Sequence, residues 1–483
     1  MNNKIQLIID QGTSGTKLLK LKNGEIVSRK DMNHRQMYPN PGWVEHDADE
    51  IFKNVKSLLD DALKVSADNE EEVVAISITN QRETIIAWDK MTGRPLYNAI
   101  VWQCNRSSQI CDELVSAGKE QLINDKTGLR LDTYFSGTKI KWLMENVPLI
   151  QEKLSQKKLA IGTMDTWLIW NLTDKQEFVT EGSNASRTLL YDINERKWDD
   201  DLVKLFGITL DALPEVKKSD EHFGFYKGIP IIGVLADSQG ALLGELCKNT
   251  GDVKITMGTG CSIMMQVGAQ NTLRDERILS TTAWELLNEE RYALEGIIRT
   301  CGDGINWYAE SFLGENKVKE FYQIDLLVNT NEQVYFIPAL QGLAAPFWNK
   351  KVTAAFFGMK RSTPYTECMR AVLESTIFQI KAVIDVMEEV AGRAVDKVYV
   401  DGGMTKNKSL MELLATLLNK QVVVGEIEEY SALGAASLVG LHKIKPDSKQ
   451  QTINPTMDNI QIRTKYQSWK TLVEQVINID LEV

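Results

Sequence analysis

The chain has 483 residues, 43% of them hydrophobic and 25% charged, and carries a formal net charge of -11. That length predicts roughly two to four ordinary domains with enough apolar material for more than one core, and the acidic balance argues against a broad surface that tracks nucleic-acid phosphates. Six scattered cysteines without a Cys-X-X-Cys pair, and four histidines without ligand spacing, argue against a disulfide framework and a structural zinc site.

In chain order, an apolar strand over Lys4–Ile9 runs into the polar, glycine-bearing stretch Asp10-Gln11-Gly12-Thr13-Ser14-Gly15-Thr16. A helix is predicted over Asp49–Val65, then strands over Val73–Ile78 and Ile85–Trp88 on either side of Asn80-Gln81-Arg82-Glu83-Thr84. Helical patterns follow over Lys139–Glu145 and Asp165–Asn171, and a strand over Ile231–Val234 leads into Ala236-Asp237-Ser238-Gln239-Gly240. Beyond it, a strand over Val253–Met257 ends in Gly258-Thr259-Gly260, and helices are predicted over Gly302–Phe312 and Tyr365–Ala391. Lys397–Val400 reads as a strand entering Asp401-Gly402-Gly403-Met404, followed by a helix over Ser409–Leu418 and a strand over Val422–Val424. Strands alternating with amphipathic helices predict an α/β fold. Three apolar strands that each end in a glycine turn, at residues 10–16, 258–260 and 401–403, predict a duplicated domain enclosing a nucleotide. The division falls near Gly244–Gly251, giving domains over residues 1–246 and 247–483.

No apolar run approaches the roughly 18 residues of a membrane span, and Met1–Ile9 lacks the pattern of a secretory leader. A cytoplasmic protein with no membrane and no nucleic-acid partner is expected.

Several stretches carry candidate chemistry. Gly12 and Gly15 permit close backbone approach, Thr13, Ser14 and Thr16 add hydroxyls, and Lys17 adds charge, as a polyphosphate loop requires. Asp10 could hold Mg²⁺ directly or through water. The GxxxxGK[ST] pattern of a P-loop is missing, and each glycine stretch alone is equally an ordinary β-turn. Asp237, at a strand's end, suits a base that takes a hydroxyl proton during phosphoryl transfer; local pattern alone favours a cap for a helix beginning near Ser238. Arg82 and Glu83 offer donors and acceptors to polyol hydroxyls, or form a solvated turn. Trp102 and Tyr134 read locally as core or surface aromatics.

Taken together, these stretches resemble the FGGY carbohydrate kinase family, on its glycerol-phosphorylating side. The likeness is carried in order by Tyr38-Pro39-Asn40-Pro41-Gly42-Trp43-Val44-Glu45-His46-Asp47, Asn80-Gln81-Arg82-Glu83-Thr84, Tyr134-Phe135-Ser136-Gly137-Thr138-Lys139, Asn184-Ala185-Ser186-Arg187-Thr188 and Tyr292-Ala293-Leu294-Glu295-Gly296. It implies two actin-like (ribonuclease-H-like) domains closing over ATP–Mg²⁺ and a polyol, and leaves a homo-oligomer, dimer or tetramer, open. On that resemblance Thr13, Ser14, Gly15 and Lys17 fall on the first phosphate loop and Gly258 and Thr259 on the second. Gly302, Asn306, Gly403 and Asn407 fall on nucleotide-contact positions, Asp10 and Asp237 on metal-associated carboxylates. Asp237 is the implied general base, and Arg82, Glu83, Trp102, Tyr134, Asp237 and Ser238 the implied polyol pocket. The implied reaction is ATP-dependent phosphorylation of glycerol to glycerol 3-phosphate. The alternatives are a larger polyol or a ketopentose as acceptor, or a non-enzymatic actin-like ATP-binding protein.

Two positions depart from the family's pattern. Ser238 follows Asp237 where Gln is usual, and Ser262 stands shortly after the second loop where Phe is usual. Both are small and polar, which predicts a roomier pocket that admits longer polyols.

Overall fold

Ile5, Leu7, Ile8 and Ile9 are all fully buried on one strand, Lys4–Gln11, as expected of a strand covered on both faces. In the computed structural model, which describes residues 3–270, 272–314, 317–328, 333–441, 450–456 and 460–479, this strand lies inside a six-stranded sheet. The sheet's order is His222–Tyr226, Ile229–Ala236, Glu72–Asn80, Lys4–Gln11, Gly15–Lys22, Glu25–Asn33. Lys4–Gln11 starts an antiparallel meander through Gly15–Lys22 and Glu25–Asn33, and on its other side pairs parallel with Glu72–Asn80, which pairs parallel with Ile229–Ala236.

A seven-stranded sheet repeats this plan. Val253–Met257 starts the meander through Cys261–Gln266 and Glu290–Ile298, and pairs parallel with Val398–Asp401, which pairs parallel with Val422–Val424. The repeat equates Lys4–Gln11 with Val253–Met257, so the turns at residues 12–14 and 258–260 occupy equivalent hairpins. Asp401-Gly402-Gly403 corresponds instead to the end of Glu72–Asn80, where Arg82 and Glu83 follow. In open α/β sheets ligands gather outside the carboxyl ends of the parallel strands. All five polar stretches singled out by sequence lie at such ends.

A smaller sheet, ordered Glu45–His46, Ala99–Ile100, Ile85–Asp89, Leu159–Thr163, extends the first half and places Trp102 just beyond Ala99–Ile100. Two helices, Asp237–Gly244 and Tyr430–Ser437, cross between the sheets at backbone distance. A Cβ on Gly240 would stand 2.6 Å from the carbonyl oxygen of Ser431, so only glycine fits that crossing.

Predicted elements match in kind. The 27-residue helix Tyr365–Ala391 has the expected bounds and stops at Gly392, left-handed at φ 62°. Asp47 accepts from the amides of Asp49 and Glu50 and starts its helix at Ala48. The stretch read as one helix over Gly302–Phe312 is instead α-helical over Gly302–Tyr308 and then a π-turn over Ala309–Leu313. The wider turn sets Phe312 against both Trp307 and Tyr308, at ring separations of 5.5 and 5.1 Å. Among the described residues no helix is long and apolar enough to cross a membrane.

Candidate active site

The hairpin between Lys4–Gln11 and Gly15–Lys22 pairs Asp10 directly with Lys17. Their side chains lie 3.6 Å apart, and Lys17 also reaches Glu429 at 3.1 Å. Burial pushes the Asp10 carboxyl up to about 6, Lys17 pulls it down, and the charges of Glu429 and Asp237 raise it. Asp10 thus shares its surroundings with two further carboxylates, of which Glu429 also binds Arg29 at 2.5 Å and Asp237 stands 3.3 Å from Arg82. No group of three or more His, Cys, Asp or Glu side chains suited to a metal occurs among the described residues. That fits Mg²⁺, which uses one or two carboxylates and keeps water and phosphate ligands, better than a metal caged by protein alone.

The glycines of the loops divide by what requires them. A Cβ on Gly15 would press on Asn33, and one on Gly302 would stand 2.7 Å from Gly258 O. Gly402 has φ 98°, and a Cβ there would clash with Met257 O. Gly12, Gly258 and Gly403 have no such requirement: their φ is not positive, and a Cβ would meet nothing closer than 3.6 Å at Gly12, 3.7 Å at Gly258 and nothing within 4 Å at Gly403. Side chains are thus absent at three positions where the protein leaves room for them, as a cradle for a phosphate chain would require. Thr259 is exposed beside Gly258, and its carbonyl accepts from the amides of Cys301 and Asp303, fastening the helix start at Gly302 to the loop. Ser14 and Asn306 are exposed. Asn407 is buried and its side chain is occupied: it accepts from Leu410 N and donates to Phe321 O at 3.0 Å, capping the helix Lys408–Leu418.

Arg82 and Glu83, one reading of which was a solvated turn, are 5% and 1% exposed. Glu83 has φ 58° in a tight turn closed by Thr84 N donating to Arg82 O at 2.7 Å, a strained backbone of the kind found at functional sites. Arg82 Nη1 binds Glu295 Oε1 at 2.9 Å and Arg82 Nε stands 3.3 Å from Asp237 Oδ1. Arg187 Nε binds Glu83 Oε1 at 2.6 Å, and Arg187 Nη1 binds Glu295 Oε2. With Arg82 Nε 3.8 Å from Glu83, the four form a closed, alternating ring. Burial raises the Glu83 carboxyl; the Glu295 carboxyl is lowered, its burial outweighed by the charges of Arg187 and Arg82.

Asp237 does not cap a helix starting at Ser238. It is the first residue of the helix Asp237–Gly244, and its Oδ1 accepts from Ser238 N at 2.6 Å. Its side chain remains 39% exposed beside buried Arg82, which leaves it open to a substrate. Trp102 and Tyr134, both half-buried, meet edge to face with centroids 5.3 Å apart, and Trp102 Nε1 donates to Thr13 Oγ1 at 2.9 Å. Ser238 is half-buried, and Ser262 lies 3.4 Å from Glu295 Oε1.

The sequence reading named neither Arg187 nor Glu295 as a site residue, nor Gln81. Gln81 Nε2 donates to Gln11 Oε1 at 3.0 Å, and its Oε1 accepts from Thr84, whose hydroxyl receives Trp102 N. The stretches expected to form a phosphate loop and a polyol pocket thus share one hydrogen-bond network. A lone charge between Tyr292-Ala293-Leu294 and Gly296-Ile297-Ile298, the uncharged stretches of the strand Glu290–Ile298, was the available signal for Glu295.

Residues 5–244 match the model of the FGGY family of carbohydrate kinases, N-terminal domain, and residues 253–441 that of its C-terminal domain. The chain belongs to this family of carbohydrate kinases. Among relatives of this FGGY chain, glycerol kinase 1 of Thermotoga maritima is 39% identical, aligned over 98% of this chain and 99% of its own. Glycerol kinase of Bacillus licheniformis is 41% identical over 97% and 98%. The crystal structure of Plasmodium falciparum glycerol kinase with ADP superposes with a TM-score of 0.92 at 34% identity, covering 99% of each chain. A xylulose kinase from Lactobacillus acidophilus, at 20% identity and a TM-score of 0.85, shares the fold.

Proposed function

We propose that this FGGY kinase transfers the γ-phosphoryl group of ATP to a primary hydroxyl of glycerol, giving glycerol 3-phosphate, in a cleft between halves that divide at residues 246 and 247. The observation that carries the reading is the partly exposed Asp237 carboxylate, 3.3 Å from buried Arg82 and near enough to Asp10 to raise its carboxyl. Glycerol kinases at 39% and 41% identity over nearly the whole chain support glycerol as acceptor.

A sugar or polyol hydroxyl is a weak nucleophile, and water competes for the same phosphoryl group, so the protein must orient, stabilise and exclude. Asp237 orients the attacking hydroxyl and receives its proton. Arg82 and Glu83 recognise the remaining hydroxyls, and Trp102 with Tyr134 walls the carbon chain. Backbone amides and hydroxyls at Thr13, Ser14, Gly15, Gly258 and Thr259, with Lys17, receive the phosphates; Gly302, Asn306 and Gly403 line the nucleotide end, and buried Asn407 serves there only by capping the helix Lys408–Leu418. Asp10 and Asp237 would hold Mg²⁺, which would supply neutralisation of phosphate charge.

Ser238 and Ser262 favour a second reading in which a longer polyol or a ketopentose is the preferred acceptor, because both are small and Ser262 adds a hydroxyl near Glu295. ADP release from Mg·ATP across glycerol, erythritol, threitol, xylitol, xylulose and ribulose, with Asp237→Asn as control, decides between them. Turnover with glycerol that drops by about 10² to 10⁴ in the variant supports the first reading. ATP consumption indifferent to any acceptor would reject both.

A further inference from the structure

Arg82 and Glu83 are contributed by the loop after Glu72–Asn80, and Arg187 by the segment after the short helix Gly182–Ala185, all in the first half of the chain. Glu295 comes from Glu290–Ile298 in the seven-stranded sheet. It is completely buried, as is Arg187. Each of its oxygens binds a different arginine, Oε1 that of Arg82 and Oε2 that of Arg187. Two guanidinium groups brought this close without a carboxylate between them would repel, and a buried, unpaired charge is strongly unfavourable. Glu83 alone does not replace it: its contact with Arg82 is 3.8 Å, against 2.6 Å to Arg187.

Glu295 also governs what Arg82 does to Asp237. With Nη1 committed to Glu295, Arg82 presents Nε to Asp237 at 3.3 Å, a loose contact compared with a bidentate arginine–carboxylate pair. Released from Glu295, Arg82 would be free to close on Asp237 with both nitrogens and fill the space of the acceptor hydroxyl.

We infer that Glu295, with Arg187, is a positioning residue for the acceptor alcohol: from the opposite sheet it fixes Arg82 and Glu83 in register and keeps Arg82 off Asp237. The inference rests on the reading of Arg82, Glu83 and Asp237 as the acceptor site.

Steady-state kinetics of the full chain with glycerol and Mg·ATP, comparing wild type with Glu295→Gln and Arg187→Lys, tests it, with ADP binding followed by calorimetry. Gln keeps the shape of Glu but loses the charge, and Lys keeps charge but loses the fork. Misplacement of about 1 Å costs on the order of 10²-fold, so the KM for glycerol is expected to rise about 10- to 100-fold in each variant. The KM for ATP and the affinity for ADP should stay within about threefold. The double variant should be no worse than about threefold beyond the poorer single, because both remove the same ring. An unchanged glycerol KM, parallel rises for glycerol and ATP, or loss of ADP binding would overturn the inference, the last two assigning Glu295 to the fold alone. A wild-type chain inactive with glycerol overturns the functional reading itself, whatever the variants do.

Discussion

The indole N–H of Trp102 donates to the hydroxyl of Thr13 at 2.9 Å, so a residue of the proposed acceptor pocket holds a residue of the proposed phosphate loop. The same Trp102 touches Tyr134 edge to face, and its backbone amide is received by Thr84. Replacing Trp102 by Phe keeps an aromatic wall but removes the donor. A net hydrogen bond contributes about 1 kcal/mol, or roughly a fivefold change in an equilibrium. The expected result for Trp102→Phe is an ATP KM raised about fivefold, although Trp102 lies outside the nucleotide loops. Steady-state kinetics with ATP varied at saturating glycerol checks this; an effect confined to glycerol would mean that the bond does not transmit.

Asp10 sets a pH dependence. Burial raises its carboxyl to about 6, with Glu429 and Asp237 adding to the rise and Lys17 opposing it. A raised carboxyl is neutral below that value and ionised above it, and in the proposed reaction only the carboxylate would hold Mg²⁺. At limiting Mg²⁺, kcat/KM should therefore fall about tenfold per pH unit below roughly pH 6, and excess Mg²⁺ should restore it. Glu429→Gln removes one raising charge and frees Lys17 for Asp10, so the acid limb should move to lower pH. A limb that ignores both Mg²⁺ and Glu429→Gln would assign the ionisation to another group.

Lys139 carries a third prediction. Its ammonium is fully buried and donates to the carbonyls of Thr133, Tyr134 and Phe135 at 2.7, 2.6 and 2.9 Å. Burial lowers it to about 8. Lys139→Met fills the volume but leaves those three carbonyls without their donor, which predicts a loss of about 2 to 4 kcal/mol locally. Hydrogen exchange should show residues 133–139 opening in the variant well before the two large sheets.

Much of this was readable in sequence because the relevant residues act through local pattern. Asp10, Gly12, Gly258 and Gly403 stand at the ends of apolar strands, and strand ends are fixed by the period of the apolar residues themselves. The helix Tyr365–Ala391 was equally plain from its buried stripe. Arg187 and Glu295 were not, since Glu83 lies 104 residues from Arg187, and Arg187 lies 108 from Glu295. No local period encodes a pairing at that range. The π-turn at Ala309–Leu313 escaped for a different reason: an apolar pattern near helical spacing does not distinguish an α-turn from the wider π-turn that continues it. Asp237 sat between the two cases, since the same position in sequence suits a cap or a base; its place as first residue of the helix Asp237–Gly244 excludes the cap, and the base remains what the family resemblance implies.

Two neighbouring glycines separate structural need from ligand need. Gly402 has φ 98° and an added Cβ there would stand 2.4 Å from Met257 O, whereas Gly403 has neither a positive φ nor any atom within 4 Å of an added Cβ. An alanine at 402 must bear left-handed strain and displace backbone, so Gly402→Ala should destabilise by about 2 kcal/mol or more. Gly403→Ala should leave stability unchanged or raise it slightly, because it reduces the freedom of the unfolded chain. If a nucleotide lies against residue 403, that same methyl group should raise the KM for ATP about tenfold while the KM for glycerol holds. Thermal unfolding and ATP-varied kinetics on the two variants give four numbers. Gly403→Ala with full stability and an unaltered KM for ATP would remove residue 403 from the nucleotide cradle and leave Gly12 and Gly258 to form it.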